Sequence, residues 1–301
     1  SKSNVPTIIF DFHGEMNQIS GVDVNYIDVG TSGLPFSPFS FNREIPMPIT
    51  AAAQEISEIL RNIGGLGDIQ TAHVRAALIN IYNTKGLSDQ NCVGEEIPNM
   101  QDFTTELERI QSSNRGRNAL ERLNWFTSFG LFRENTQVRF NVLDSRGAVF
   151  DLSRYPQEEV KLTAGSFILK KIYNEMFLWG RSDRLKLALI LDEAHRLATD
   201  PTIPKLMKEG RKYGVSLLLA SQNLDDFAPE VIQNAGLRVA FRNNHPASRK
   251  IASLLNQRDS MNLAHQIERL GVGMAIVVTE SIKVHWEKKC VALMNKSLSP
   301  K

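Results

Sequence analysis

The sequence predicts an α/β fold, a mostly parallel, doubly wound sheet interrupted by a helical insertion. Three observations lead there. Short apolar runs rich in β-branched residues recur along the chain, and segments of helical periodicity separate them. Several of the runs also end in polar or acidic residues, as strands of a parallel sheet do where their carboxyl ends face a ligand crevice.

Taken in order, Val5 to Phe10 reads as a buried strand running into Asp11-Phe12-His13-Gly14-Glu15. Gly21 to Pro48 is rich in Gly, Pro, Ser and Phe and reads as loop with short extended pieces. Helical patterning dominates from 50 to 134. Thr50 before Ala51-Ala52-Ala53-Gln54 predicts a capped helix start, and the pattern breaks near Gly64-Gly65 and between Gly86 and Pro98. Strand character returns at Val138 to Leu143 and Ala148 to Leu152, followed by an amphipathic helix from Pro156 to Trp179. Leu185 to Leu191 is an apolar strand closed by Asp192-Glu193-Ala194-His195. Thr199-Asp200-Pro201 turns into a short basic helix ending Lys208-Glu209-Gly210-Arg211-Lys212-Tyr213-Gly214. Val215 to Ala220 is a strand closed by Ser221-Gln222-Asn223, and Leu237 to Phe241 and Met274 to Val278 add two more strands around a helix at Ala247 to Leu255.

Bulk properties narrow the partners. At 301 residues and 42% hydrophobic content the chain can bury one large core or two smaller ones. A formal charge of +2 supplies no global attraction to nucleic acid, so any such interface has to be local. Cys92 and Cys290 lie far apart without CxxC spacing, against a disulfide framework and a thiolate zinc site. No apolar run approaches the roughly 18 residues of a spanning helix, and the opening Ser1-Lys2-Ser3-Asn4 neither begins with Met nor resembles a signal peptide. The expectation is a cytoplasmic piece of a longer protein.

The run ending in Asp192-Glu193 has the pattern of a Walker B strand. Its Asp suits the water shell of Mg²⁺, and its Glu suits orienting or deprotonating the water that attacks the γ-phosphate of ATP. The alternative is a buried strand ending in a solvated acidic pair. Asp11 to Glu15 ends a second strand with acidic groups, which suits two strands pointing at one crevice or a plain polar cap. Gln222 follows a third, where a neutral amide can contact both the γ-phosphate and the water. Arg211 precedes that strand and suits an arginine finger reaching a neighbouring subunit, or equally a cation at a helix C-terminus. The phosphate-cradling pattern G-x-x-x-x-G-K-[ST] occurs nowhere in the 301 residues.

Together Ile8-Ile9-Phe10-Asp11-Phe12-His13-Gly14-Glu15, Leu189-Ile190-Leu191-Asp192-Glu193-Ala194-His195, Glu209-Gly210-Arg211-Lys212-Tyr213-Gly214 and Leu218-Leu219-Ala220-Ser221-Gln222 resemble the HerA/FtsK superfamily of ring-forming, DNA-pumping ATPases, and its HerA branch most. A narrower likeness is to the HerA-type component of phosphorothioation-dependent DNA restriction systems. The resemblance implies a RecA-like form of the sheet, with residues 1–301 as the C-terminal part of a HerA-like ATPase domain and 50–134 inserted in it. It implies that Asp192 serves Mg²⁺, Glu193 catalysis, Gln222 sensing, Arg211 activation in trans, and Asp11 or Glu15 the edge of the site. It further implies double-stranded DNA as substrate, self-association into a hexameric ring, and a nuclease or other defence or DNA-processing partner. A P-loop of this family precedes the first strand, so the 301 residues alone are expected to bind ATP poorly.

Gly64-Gly65-Leu66-Gly67 carries no Lys and reads as a helix-breaking loop. His13 and His195 lack the paired spacing of metal ligands, and Ser221-Gln222-Asn223 stands where a DEAH-box helicase would carry Ser-Ala-Thr. Lys205, Lys208, Arg211 and Lys212 form one basic group and Arg238, Arg242, Arg249 and Lys250 another. Either suits a DNA backbone or a solvated face; Arg238 and Arg242 are the candidate nucleic-acid contacts. Two competing functions are a non-catalytic interaction module with an incomplete ATPase core and an ATPase of conjugation or type IV secretion.

Overall fold

Five short strands form one wholly parallel sheet in the computed structural model of the chain: β1 (Thr7–Asp11), β2 (Asn25–Asp28), β3 (Ala148–Asp151), β4 (Leu187–Leu191) and β5 (Val215–Leu219). The structure describes residues 5–16, 24–93, 96–112, 118–132, 140–144, 146–255 and 260–279. They divide into two compact units, Ser1–Ala220 and Ser221–Lys301. The sheet lies in the first, in the order β2-β3-β1-β4-β5. β1 is central, with Phe10 in register with Phe150 of β3 on one side and Leu191 of β4 on the other. Ile8, Phe10, Leu187, Leu189 and Leu191 line one fully buried face, the residues between them on β1 and β4 are partly buried, and β3 is buried on both faces.

The first unit carries eight α-helices among its described residues: α1 (Val29–Ser32), α2 (Pro48–Gly64), α3 (Asp68–Thr84), α4 (Met100–Ser112), α5 (Ala119–Arg122), α6 (Asn124–Ser128), α7 (Glu158–Leu178) and α8 (Thr202–Glu209). The helices between 48 and 128 reach α7 through an aromatic cluster. Phe126 stacks on Phe167 with ring centroids 5.7 Å apart, Phe132 meets Phe167 edge-on at 5.0 Å, and Phe103 links Phe126 to Phe39. Helix α7 is buried along about half of its residues because it packs against α2, α6 and α8 and against the turns Ala194–Leu197 and Gly210–Tyr213. A Cβ on Gly165 would stand 2.8 Å from a Leu197 methyl, so the glycine lets α7 approach the segment after β4 without displacing that side chain. Its buried Lys170 donates to the Ser40 carbonyl at 3.0 Å, and burial pulls the ammonium down to about 8, with Lys171 adding and Glu55 opposing.

Four sequence expectations are corrected. Thr50 is not the cap of α2, which begins at Pro48. The capping acid is Asp89, whose Oδ1 accepts from Ile49 N at 2.8 Å and Thr50 N at 3.0 Å, bonds that hold its carboxyl low against the opposing effect of burial. Of Val138 to Leu143, residues 138 and 139 lie outside the described residues, and the remainder is a turn. Asp144 N donates to Asn141 O, while the Phe140 ring packs edge-on against Phe150 at 5.2 Å instead of joining a ladder. Within the segment read as loop, Asn25–Asp28 pairs in parallel with β3 as the edge strand β2. The last two strands do not extend a parallel sheet. In the second unit β6 (Leu237–Ala240) and β7 (Ile276–Thr279) form an antiparallel pair, Val239 opposite Val277.

That unit also holds α9 (Pro229–Asn234), α10 (Ala247–Leu255) and α11 (Ser260–Glu268). Ala252, Leu263, Ala264 and Ile267 form its small core. Among the described residues Cys92 carries no disulfide, and Cys290 lies outside them. No described helix is long and apolar enough to cross a membrane.

Candidate active site

The first four strands each deliver a carboxylate to the same edge of the sheet. Parallel register sets Asp28, Asp151 and Asp11 side by side, and Asp192-Glu193 follows β4 next to β1. Their hydrogen bonds divide them sharply. Asp28 caps α1, accepting from Thr31 N at 3.1 Å, and pairs with Arg154 Nε at 2.9 Å. Asp151 accepts from Ser153 N at 2.8 Å and from the Tyr26 hydroxyl; against burial, which pushes it up, these bonds hold its carboxyl below the usual range, and burial together with the Asp151 bond drives Tyr26 upward.

Asp11 is the most engaged. It is buried, and its Oδ1 accepts from the backbone N–H of His13 at 3.2 Å, Gly14 at 2.8 Å and Glu15 at 3.3 Å, while Oδ2 accepts from Met16 N at 2.9 Å. An ionised carboxylate is an acceptor only, and four amide donors turn it into the hub of a tight loop from Phe12 to Met16. Gly14 completes the loop at φ +75°, where a Cβ would stand 2.7 Å from Ser153 Oγ. Glu15, at the loop's far side, is exposed.

The corner after β4 is built differently. Ala220 N donates to Leu191 O at 3.0 Å and Ala194 N to Ala220 O at 2.7 Å, so pairing with the residue after β5 continues across Asp192-Glu193 and forces the corner outward. Glu193 takes the left-handed conformation, φ 55° and ψ 44°, which a non-glycine residue adopts only under tertiary constraint. Its carboxylate, 16% exposed, has Oε2 at 3.4 Å from His195 Nδ1 and 3.9 Å from His13 Nε2. Half-buried Asp192 accepts Glu193's own amide at 3.1 Å.

Three residues that the sequence did not single out secure this corner. The Arg196 guanidinium lies over the Phe12 ring, 5.5 Å from its centroid, and Nη1 pairs with Glu158 in the first turn of α7 at 2.5 Å. A basic residue three positions after a Walker B Glu, with an acid at the start of the preceding helix, is the signal that points to them.

Arg211 does not join the carboxylates. It is exposed in the 3-10 turn Gly210–Tyr213 before β5, at the amino edge of the sheet, about 16 Å from the carboxyl edge by strand length. Its neighbours Lys208 and Lys212 lie in the same stretch, and Lys205 sits 5.9 Å over the Tyr173 ring. The other candidates belong to the second unit. Gln222 is exposed near its start; Arg238 donates from Nε and Nη2 to Ile232 O at 3.3 and 3.1 Å; Arg242 and Arg249 are exposed, and Lys250 pairs with Asp225.

Among the described residues no group of three or more His, Cys, Asp or Glu is placed to hold a metal directly. A carboxylate such as Asp192 suits instead a hydrated Mg²⁺, which keeps several waters and takes one or two protein oxygens.

Two family descriptions match the chain, the central domain of helicase HerA over residues 1–172 and the HerA-like C-terminal region over 146–296. The chain belongs to the HerA helicase family. The DNA double-strand break repair helicase HerA of Saccharolobus solfataricus is 25% identical over 302 residues, covering 92% of this chain and 56% of that protein. A probable helicase of Methanocaldococcus jannaschii is 26% identical over 179 residues, 54% of this chain and 34% of that protein. The chain thus spans about half the length of the first of these relatives and about a third of the second. Among solved structures, VirB4 of Thermoanaerobacter pseudethanolicus superposes with a TM-score of 0.70 at 20% identity, covering 91% of this chain and 79% of that one. The plasmid coupling protein TrwB bound to a non-hydrolysable ATP analogue gives 0.60 at 16%, covering 91% and 76%. These likenesses show the fold, an α/β RecA-like ATPase architecture.

Proposed function

We propose that this chain is the C-terminal part of the ATPase domain of an ATP-driven motor that moves along double-stranded DNA as a ring, residues 50–134 being a helical insertion in that domain. The observation that supports the reading is the Asp192-Glu193 corner: an acidic pair at the carboxyl end of β4, beside the central strand of a RecA-like sheet, with Glu193 held in a strained conformation. In this reading Glu193 orients the water that attacks the γ-phosphate, Asp192 holds the water shell of Mg²⁺, and Asp11 positions the loop that reaches the site, with Glu15 at its edge. Bound Mg²⁺ supplies neutralisation of charge on the phosphates. Gln222 acts as sensor of the γ-phosphate. Arg211, on the opposite edge of its own sheet, serves the site of a neighbouring subunit, where its guanidinium offsets developing negative charge. Arg238 and Arg242 contact the DNA backbone. The phosphate cradle, absent from this sequence, comes from polypeptide outside it.

The test is DNA-stimulated ATP hydrolysis by the 301-residue chain and by a polypeptide extended upstream through a P-loop, each with and without Glu193→Gln. Turnover in the extended protein alone, falling about 100-fold or more in Glu193→Gln with nucleotide still bound, supports the motor. Turnover indifferent to Glu193→Gln, or absent from both proteins in the presence of DNA, overturns it in favour of an interaction module.

A further inference from the structure

We infer that His13 and His195 are positioning residues that hold the Glu193 carboxylate between them, so that a loop on β1 and a turn after β4 jointly set the direction of the group that handles water. The inference rests on reading Glu193 as that group. Both imidazoles approach the same oxygen: His195 Nδ1 stands 3.4 Å and His13 Nε2 3.9 Å from Glu193 Oε2. They arrive from different strands, brought together by the β1–β4 register that pairs Phe10 with Leu191. His195 Nδ1 is buried and makes no hydrogen bond, because the 3.4 Å approach lacks the alignment for one. A buried polar atom left this close to a carboxylate needs a partner, and hydrogen bonds in catalytic sites tighten when substrate arrives.

Each imidazole is in turn held by its own anchor. Asp11 binds the amides of residues 13 to 16 and so fixes where the His13 side chain leaves the loop. On the other side Arg196, clamped between the Phe12 ring and Glu158, fixes the turn Ala194–Leu197 that carries His195. The Arg196–Phe12 contact joins the two anchors. The backbone of Glu193 is already confined, at φ 55°, and the two imidazoles extend that confinement to its side chain.

Two measurements test this. In the chain itself, ¹⁵N chemical shifts of the imidazoles report the contacts without any turnover. Glu193→Gln is expected to move the His13 Nε2 and His195 Nδ1 resonances while His73 and His265 stay in place; no movement at either histidine overturns the inference. In the upstream-extended protein, His195→Ala and His13→Ala are each expected to lower kcat about tenfold with KM for ATP within about twofold. The double variant should fall little below either single one, because both act on one carboxylate. His195→Asn, which keeps a nitrogen near the Nδ1 position, and His13→Gln, which keeps one near Nε2, should recover part of the loss. Wild-type turnover in both alanine variants while Glu193→Gln is inactive sinks the positioning role alone. Full turnover in Glu193→Gln sinks the reading of Glu193 itself.

Discussion

Asp11 and Glu193 end neighbouring strands of one sheet, on the same edge, yet their carboxylates stand in opposite situations. Asp11 is 3% exposed and surrounded by four backbone donors; Glu193 is 16% exposed, sits on a strained backbone, and faces two imbalanced imidazole contacts at 3.4 and 3.9 Å. A carboxylate whose lone pairs are filled by amides builds structure. One left within reach of water and adjustable partners is suited to chemistry. The same acidic pattern at a strand end therefore carries two functions, separated only by what the next few residues do with their N–H groups.

The largest effect that sharpens this contrast is on turnover. Asp192→Asn in the upstream-extended protein is expected to reduce ATP hydrolysis about 100-fold or more while changing the unfolding free energy by less than about 0.5 kcal/mol, since its side chain accepts its neighbour's amide. Asp11→Ala should do the reverse in denaturant unfolding of the chain: it orphans four amide donors at a buried position and should cost about 3 to 4 kcal/mol. Asp11→Asn, which keeps Oδ1 but places an amide against Met16 N, should cost about half of that. Equal stability losses at 11 and 192 would erase the distinction.

Lys170 extends the comparison to a buried cation. Burial holds its folded-state value at about 8 against an ordinary 10.5, so between those values the unfolded chain binds a proton that the folded chain does not. Stability attributable to this residue therefore rises with pH across that window, by about 3 kcal/mol at most. The measurement is the difference in unfolding free energy between wild type and Lys170→Met from pH 7.5 to 10.5. It should narrow or reverse as pH rises, with the methionine variant relatively best at the low end. A difference that stays flat with pH would mean that Lys170 remains charged in the folded chain.

Gly14 tests the loop itself. Gly14→Ala puts a methyl at a positive φ and 2.7 Å from Ser153 Oγ, and should cost about 1 to 2 kcal/mol in unfolding while shifting His13. An unchanged midpoint would mean that the loop is less constrained than its four hydrogen bonds imply.

Much of this was legible in the sequence for a physical reason: β1, β3, β4 and β5 are short apolar runs because a parallel sheet buries most of its strand residues, and an acid or amide stands at or within three residues of the end of each. β2 was not, because Asn25-Tyr26-Ile27-Asp28 is a half-exposed edge strand whose Tyr26 is bound to Asp151, more than a hundred residues away. The cap of α2 comes from Asp89, some forty residues downstream, where no local pattern leads. The position of Arg211 on the far edge was readable from strand direction, since it precedes β5 whereas the acids follow their strands. The approach of His13 and His195 to one oxygen was not, because it depends on which strand lies beside β1.

The smallest expected effect bears most directly on the comparison, because its sign differs between the two sites. A non-glycine residue in the left-handed region costs about 1 kcal/mol, and glycine there relieves it, offset in part by the greater freedom glycine has in the unfolded chain. Removing the carboxylate also takes away the neighbour of the buried His195 Nδ1, which offsets a further part of that relief. Glu193→Gly should then gain about 0.5 kcal/mol, a rise of about 1 to 2 °C in thermal midpoint, although it removes the residue proposed to be essential for turnover. Asp11→Gly should lose stability by as much as Asp11→Ala. If Glu193→Gly also loses stability, then the corner after β4 is held by the Glu193 side chain rather than strained around it, and the two strand ends are structural in the same sense.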